Sequence, residues 1–494
     1  MNFQSTRDEK KVKYSAAQVI KQGLANDGGL FVPDEIPTLT KAEILDLCKD
    51  TYPKAAAKIL SKFLTDYTYE ELLEDCEGAY CEKSFVGGAA PLKKVNDNTY
   101  SLELWHGPTA AFKDMALQVM PRLLSRALVK TGEERTSLIL VATSGDTGKA
   151  ALEGYKDIDR VKIMVYYPEN GVSRVQKLQM ATQTGSNVNV CAIRGNFDDA
   201  QTGVKKIFSD KAAAEKLDGM KYFLSSANSI NWGRLAPQIV YYIKSYCDLI
   251  EQGEIKFGDT VNVCVPTGNF GNIFAAYIAK LMGLPLGKLI CASNANNILT
   301  DFLRTGSYDR NRNFYLTMSP SMDILISSNL ERLLYFVAGS EKTTQYMKEL
   351  NEKGAYTVDA ETKAQIDKNF VGYYADEEST SATIRKYFNE YNYLMDTHTA
   401  VAFNSIEQYR RESGDDTKTI VASTASPYKF ANDVYISLFG ESPADELSAL
   451  DELSARTNTE IPYPLKDLAE RKVNFNTVIN SEDMLCEVYN YLNK

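Results

Sequence analysis

The chain reads as an α/β protein: two doubly wound, mostly parallel αβα domains with a ligand cleft between them, and an N-terminal, mostly helical domain in front. Three observations predict this. Short, β-branched apolar runs alternate with helical patterns from about residue 98 to 423. These runs fall into two sets, separated by a long helical pattern from about Leu235 to Ile250. Residues 1–88 lack that rhythm and carry one short extended piece followed by helical patterns. Near-continuous apolar strands between helices indicate parallel sheets covered on both faces, whose ligands sit at the carboxyl ends of the strands. With 494 residues, 44% of them hydrophobic, the chain can build two or three cores.

In residues 1–88, Asn26-Asp27-Gly28-Gly29-Leu30-Phe31-Val32-Pro33 is a loop entering a short extended piece, and helices are expected at 41–48 and 55–64. Nothing there carries obvious chemistry, so packing is the expected role. The central region, 89–430, holds the turn Trp105-His106-Gly107-Pro108-Thr109-Ala110-Ala111-Phe112-Lys113-Asp114. Behind it Met115, Val119, Leu123 and Ala127 recur at i+4, the pattern of a helix buried on one side. Gly107-Pro108-Thr109 is turn chemistry, and Thr109 is placed to cap the backbone after it. Strands are expected at 137–143, 161–167, 187–193 and 222–226, with helices at 149–155, 172–182 and 198–216. A second set of strands follows at 260–265, 288–293 and 418–423. Residues 300–395 show little rhythm beyond a capped outer helix at 376–387, and 431–494 read as a helical appendage.

Composition removes several functions. A net charge of −10 without a Lys/Arg block argues against nucleic acid. The polar residues 1–10 are not a signal peptide, and no apolar run approaches the roughly 20 residues that span a bilayer. The eight cysteines are scattered without a CxxC pair, which points to reduced thiols in the cytoplasm. With His106 and His398 the only histidines, no His-rich metal centre is expected. Acid–base work then falls to other groups, and a lysine with a carbonyl cofactor is one solution.

The candidate chemistry lies in loops. A lysine such as Lys113, desolvated at a helix start, becomes an amine nucleophile or proton carrier, although an isolated lysine of this kind is most often solvated. Thr143-Ser144-Gly145-Asp146-Thr147-Gly148 follows a strand and opens a helix. It is either an anion nest, suited to a substrate α-carboxylate, or a turn capped by Ser144 or Thr147. Pro266-Thr267-Gly268-Asn269-Phe270-Gly271-Asn272 has the same placement. Its two glycines, each followed by Asn, favour a phosphate cradle over an ordinary turn, and it matches neither a P-loop nor a dinucleotide fingerprint. In Ser225-Ser226-Ala227-Asn228-Ser229-Ile230-Asn231-Trp232-Gly233-Arg234, the arginine suits a bidentate phosphate contact, with a surface salt bridge as the commoner use of such a residue. A hydroxyl of Ser423-Thr424-Ala425-Ser426-Pro427 can face a heteroaromatic nitrogen or cap a helix. In Asp396-Thr397-His398-Thr399-Ala400 the histidine is expected to be structural.

His-Gly-Pro-Thr-x-x-Phe-Lys-Asp, Ser-Gly-Asp-Thr-Gly, Asn-Ser-Ile-Asn-Trp-Gly-Arg, Gly-Asn-Phe-Gly-Asn, Asp-Thr-His-Thr-Ala and Ser-Thr-Ala occur in this order. Together they resemble the threonine synthases, pyridoxal-phosphate (PLP) enzymes of fold type II, and Asp27-Gly28-Gly29-Leu30-Phe31-Val32-Pro33 resembles that family's N-terminal signature. The resemblance implies that Lys113 carries the PLP aldehyde and acts as catalytic base. It implies that Gly268, Asn269, Phe270, Gly271 and Asn272 hold the phosphate, and that Thr424 faces the ring nitrogen. Asp146 matches a position that often holds Asn beside the ring 3′-oxygen, where a carboxylate would repel a phenolate unless one is protonated or the side chain turns away. Ser426 stands where relatives often carry His, so that histidine's contact would be missing. Thr143, Ser144, Thr147, Lys149, Ser226, Asn228, Asn231 and Arg234 would bind substrate. The implied reaction converts O-phospho-L-homoserine and water to L-threonine and phosphate, in a monomer or homodimer. Two alternatives stay open. One is another fold type II lyase or dehydratase acting on a hydroxy- or phospho-amino acid; the other is an inert binder of a phosphorylated metabolite.

Overall fold

The computed structural model describes residues 1–493. Its N-terminal part is a two-stranded antiparallel ribbon, Phe3–Ser5 with Phe31–Pro33, and four helices at Ala16–Gln22, Lys41–Lys49, Tyr52–Ser61 and Tyr69–Ala79. Ser15, Thr40 and Thr68 start three of these with reciprocal capping boxes, each pairing with a Gln or Glu three residues on. This part packs on the start of the 20-residue helix Trp232–Glu251, where the rings of Phe3 and Phe63 lie 5.5 and 5.7 Å from Trp232. Lys244 of that helix donates to the carbonyls of Leu47, Cys48 and Asp50, which ties down the end of Lys41–Lys49.

Two sheets follow. The larger is ordered Phe370–Tyr374, Leu286–Ser293, Val261–Pro266, Thr419–Ser423, Thr99–Glu103, Leu92–Asn96, and is parallel except for the last pair. The smaller is fully parallel: Val478–Asn480, Val188–Arg194, Val161–Pro168, Thr136–Ala142, Tyr222–Ser225. All seven strands expected from apolar runs are present. Four others lack such a run. Leu92–Asn96 is polar and half exposed, Thr99–Glu103 is buried with three polar side chains, Phe370–Tyr374 lies in the stretch without rhythm, and Val478–Asn480 is a short edge within the expected helical appendage.

The helix expected over 198–216 is two, Phe197–Ser209 and Lys211–Gly219, because the Asp210 carboxylate caps the second one at the amides of Ala212 and Ala213. The helix behind Lys113 is likewise split into Asp114–Leu117 and Met120–Lys130, the latter opening with Pro121, which has no N–H to continue the first. Asp114–Leu117 is buried on every side rather than one. No helix among the described residues is long and apolar enough to cross a membrane.

Candidate active site

The carboxyl ends of the two sheets face one another, and Lys113 lies between them. Its segment is stitched to the end of Thr419–Ser423: the Phe112 amide donates to the Thr424 carbonyl (2.8 Å), the Ser426 amide to the Ala110 carbonyl (3.1 Å), and Ala111 bridges Ala425. The expected capping by Thr109 runs the other way. The buried Asp114 carboxylate accepts from both the Thr109 amide (2.8 Å) and hydroxyl (2.7 Å), closing the turn from below. Burial pushes the Asp114 carboxyl up to about 6.

Lys113 is 9% exposed, and its Nζ donates to Asp146 Oδ2 (3.5 Å) and Ser321 Oγ (3.3 Å). Burial lowers its pKa below that of an ordinary lysine. Asp146 opposes the fall, while the charges of Arg234 and Lys429 add to it. Asp146 opens the helix Asp146–Tyr155. Burial alone would raise its pKa, but Lys429 and Lys113 hold it well below the usual carboxylate range. Gly145, at φ +138°, makes the turn into this helix, and a Cβ there would lie 2.4 Å from the Gln176 side chain that donates to Asp146 Oδ1 (3.0 Å).

Opposite, Phe270 sits in the left-handed region (φ 61°) and starts the helix Gly271–Leu281 with no side-chain cap, leaving the first-turn amides free for an anion. The Asn272 Oδ1 accepts from the hydroxyls of Tyr241 (2.8 Å) and Tyr242, and its Nδ2 is buried without a partner. An orphaned donor in an uncapped helix turn suits a phosphate. A desolvated amine suits an aldehyde, so the residues present fit PLP. Gly268 lies under the loop of Ser321: a Cβ would stand 2.7 Å from the Ser321 carbonyl oxygen. Gly268→Ala is therefore expected to displace that loop from Lys113 and to weaken PLP binding roughly ten-fold, read by absorbance titration. Unchanged affinity would show that the loop yields without disturbing the site.

The structure divides the expected substrate residues. Ser144 and Asn228 are exposed, Thr147 and Ser226 half-buried. Arg234 is 6% exposed, donates to the Ala227 carbonyl (2.6 Å) and has no carboxylate within salt-bridge distance among the described residues; burial lowers its pKa to about 10. Three others are engaged elsewhere. The Thr143 hydroxyl closes its own loop on the amides of Gly145 and Gly148, Asn231 caps Trp232–Glu251 while donating to the Ile20 carbonyl (2.9 Å), and Lys149 is buried against Glu153 (3.0 Å) and Gln183. All three are spent mainly on the protein's own framework, yet the Thr143 hydroxyl, which only accepts here, and one hydrogen each of the Asn231 amide and the Lys149 ammonium have no partner among the described residues. His398 is structural as expected, with Nδ1 on Asp396 (2.8 Å) and Nε2 taking the Ser321 amide (3.2 Å).

Sequence reasoning missed Ser321, Gln176, Lys429, Asn329 and Arg332. Asn329 Nδ2 donates to the Ser229 hydroxyl and the Asn269 carbonyl, both at 3.0 Å, and thus joins the 266–272 loop to the segment that carries Arg234. Ser321, Asn329 and Arg332 fall in the 300–395 stretch without rhythm, and Gln176, in the helix after Val161–Pro168, looks like an ordinary capping residue. The Ser423–Phe430 stretch did mark the place of Lys429 without indicating its role.

Comparison with known proteins agrees with this architecture. The family profile described as Threonine synthase N terminus matches residues 2–80, Pyridoxal-phosphate dependent enzyme residues 90–424, and Threonine synthase, C-terminal residues 399–487. Human threonine synthase-like 1 is 41% identical over 428 residues, covering 84% of this chain; the chain spans only 57% of that relative's length. Threonine synthase from Pseudomonas aeruginosa is 38% identical over 478 residues, covering 96% of this chain and 94% of that protein. The crystal structure of PLP-bound threonine synthase from Brucella melitensis superposes with a TM-score of 0.88 at 36% identity, covering 100% of this chain and 98% of that one. On these matches along nearly its whole length, and on a buried lysine whose partner Ser321 lies over the uncapped 266–272 loop, the chain belongs to the threonine synthase family of pyridoxal-phosphate-dependent enzymes.

Proposed function

We propose that this protein binds PLP and converts O-phospho-L-homoserine and water to L-threonine and phosphate. The observation that carries the reading is the buried, charge-poised Lys113 amine, 3.5 Å from Asp146 and 3.3 Å from the Ser321 hydroxyl, whose loop lies over Gly268 just ahead of the uncapped Gly271 helix. Near full-length similarity to named threonine synthases supports the choice of substrate.

Lys113 would hold the cofactor covalently through Nζ, with its phosphate on the amides of Gly268 to Asn272 and on Asn272 Nδ2, and Thr424 beside the ring. PLP supplies an electron sink for the pair left when the substrate Cα proton departs. Lys113 Nζ, kept below the ordinary lysine pKa, is the base that takes this proton and the acid that returns protons later. Arg234, with Ser226 and Asn228, binds the substrate phosphate; an unpaired guanidinium strengthens its hold as the leaving group gains charge. Asn231, Thr143 and Lys149 hold the loops that present these groups. The Ser321 loop covers Lys113 and limits water beside it. The eight unpaired cysteines suit a reducing, cytoplasmic setting, where the protein works as a monomer or homodimer.

The test begins with the visible spectrum of the purified protein, borohydride reduction and peptide mapping. A band that bleaches, with the label on Lys113, is expected. Assay with phosphohomoserine should then release threonine and phosphate in equal amounts; release of a keto acid instead would identify a dehydratase or phospho-amino-acid lyase. Arg234→Ala is expected to lower kcat/KM by about a hundred-fold, with a fall in kcat as well as a rise in KM, as befits loss of a charge-assisted contact that strengthens as the leaving group gains charge. Wild-type kinetics in that variant would remove Arg234 from the phosphate site.

A further inference from the structure

Asp146 has two faces, and only one of them looks at Lys113. Its Oδ1 lies 3.2 Å from the Lys429 Nζ and accepts from Gln176 (3.0 Å), while Oδ2 faces Lys113 (3.5 Å) and Ser321 Oγ (3.3 Å). Lys429 comes from the other domain, on the short 3-10 turn Pro427–Phe430 that Ser426 caps. Its side chain is fully buried, and its second contact is the Thr109 carbonyl (2.8 Å), in the turn that presents Lys113. The charged or titratable groups whose fields reach Asp146 and Lys113 are thus Lys429, Arg234 and the nearby His398.

The geometry points to Lys429 as a positioning residue, a permanent counter-charge that keeps Asp146 ionised and oriented when the charge on Lys113 is gone. A buried carboxylate needs a cation. Lys113 cannot serve as that cation throughout a reaction in which its own nitrogen binds a carbonyl and carries protons. Lys429 touches no reacting position in the structure, and its contacts with Asp146 and the Thr109 carbonyl hold it in place. The Asp146–Lys429 pair is close to neutral as a unit, so a carboxylate can stand beside an anionic ring oxygen without expelling it. The proposal rests on the PLP reading above.

The test is a cycle of Lys429→Met, Asp146→Asn and the double variant, each loaded with PLP. The readouts are the pH at which the visible band of the bound cofactor titrates, the PLP dissociation constant, and phosphohomoserine turnover. Removing a nearby positive charge raises the pKa of a protonated nitrogen, and removing a negative one lowers it. Lys429→Met is expected to move the band titration up, and Asp146→Asn to move it down, each by about one unit or more. The double variant should return to within about half a unit of wild type and regain most of the PLP affinity that each single variant loses. A packing role for Lys429 would leave the titration in place. An unshifted titration in Lys429→Met, or losses that add in the double variant, overturns the proposal. If Lys429→Met fails to fold, a folded double variant supports the pair, and a double variant that also fails overturns it. A wild-type protein that binds no PLP overturns both this proposal and the functional reading. One that binds PLP without turning over phosphohomoserine overturns the functional reading alone, because the titration needs no substrate.

Discussion

Lys113→Ala is expected to abolish borohydride-stable labelling by PLP and to lower threonine formation by at least about a thousand-fold. The size of the effect follows from the absence of a substitute. Three other buried cations lie near the site, and none can take its place. Lys429 lies on Asp146 and the Thr109 carbonyl, and Lys149 on Glu153 and Gln183. Arg234, although unpaired with any carboxylate, carries a guanidinium that is not an amine nucleophile. His398 has both ring nitrogens engaged and is not free to take over as base. The phosphate loop is untouched in this variant, so PLP should still bind, now without the covalent link, and equilibrium dialysis should find it retained. Turnover within about ten-fold of wild type would assign proton transfer to another group and remove Lys113 from the centre of the mechanism.

Arg332→Ala is expected to cost roughly 3–5 kcal/mol of stability and most of the activity, although Arg332 touches none of the reacting groups. Its side chain is fully buried in the helix Leu330–Lys353. From there Nε donates to the Phe31 carbonyl (3.0 Å), Nη1 to the Ser229 carbonyl (3.1 Å) and the Asn329 side chain, and Nη2 to the Ile230 carbonyl (2.6 Å). One guanidinium therefore clamps the N-terminal ribbon, the segment leading to Arg234, and, through Asn329, the phosphate loop. Burial brings its pKa down to about 9, with the neighbouring Glu331 carboxylate opposing the fall. Truncation leaves these acceptors unpaired in a site that water enters poorly. Arg332→Lys should do little better, since a single ammonium cannot reproduce a fork reaching three chain segments. A lower thermal midpoint should come with faster hydrogen exchange at Phe31–Pro33 and over 226–231. A full-strength Lys variant would show that charge alone suffices and that the fork geometry is incidental.

The sequence by itself determined the parts of this protein whose physics is local. Strands made largely of apolar and β-branched residues, such as Thr136–Ala142 and Val261–Pro266, announce themselves because burial on both faces favours apolar side chains. The loops after them are legible because a tight turn into a helix needs glycine and small polar residues in consecutive positions, as in 143–148 and 266–272. Lys113 is legible for the same reason, as one residue in a dense local wording.

Only the tertiary structure decided which polar side chains are spent on the protein and which keep donors free. Asn231 and Arg234 stand three residues apart at the same helix start, yet one caps the helix and the other keeps free guanidinium donors. Lys149 and Lys429 are both buried lysines, and only Lys429 meets Asp146. Ser321 reaches Lys113 because the His398 ring holds its amide. A buried charge is stabilised by whichever opposite charge or dipole the fold brings near. Such partners come from distant parts of the chain and leave no spacing to read. Backbone conformation is written in neighbouring residues, whereas the electrostatics of this site is written in the packing of one domain against the other.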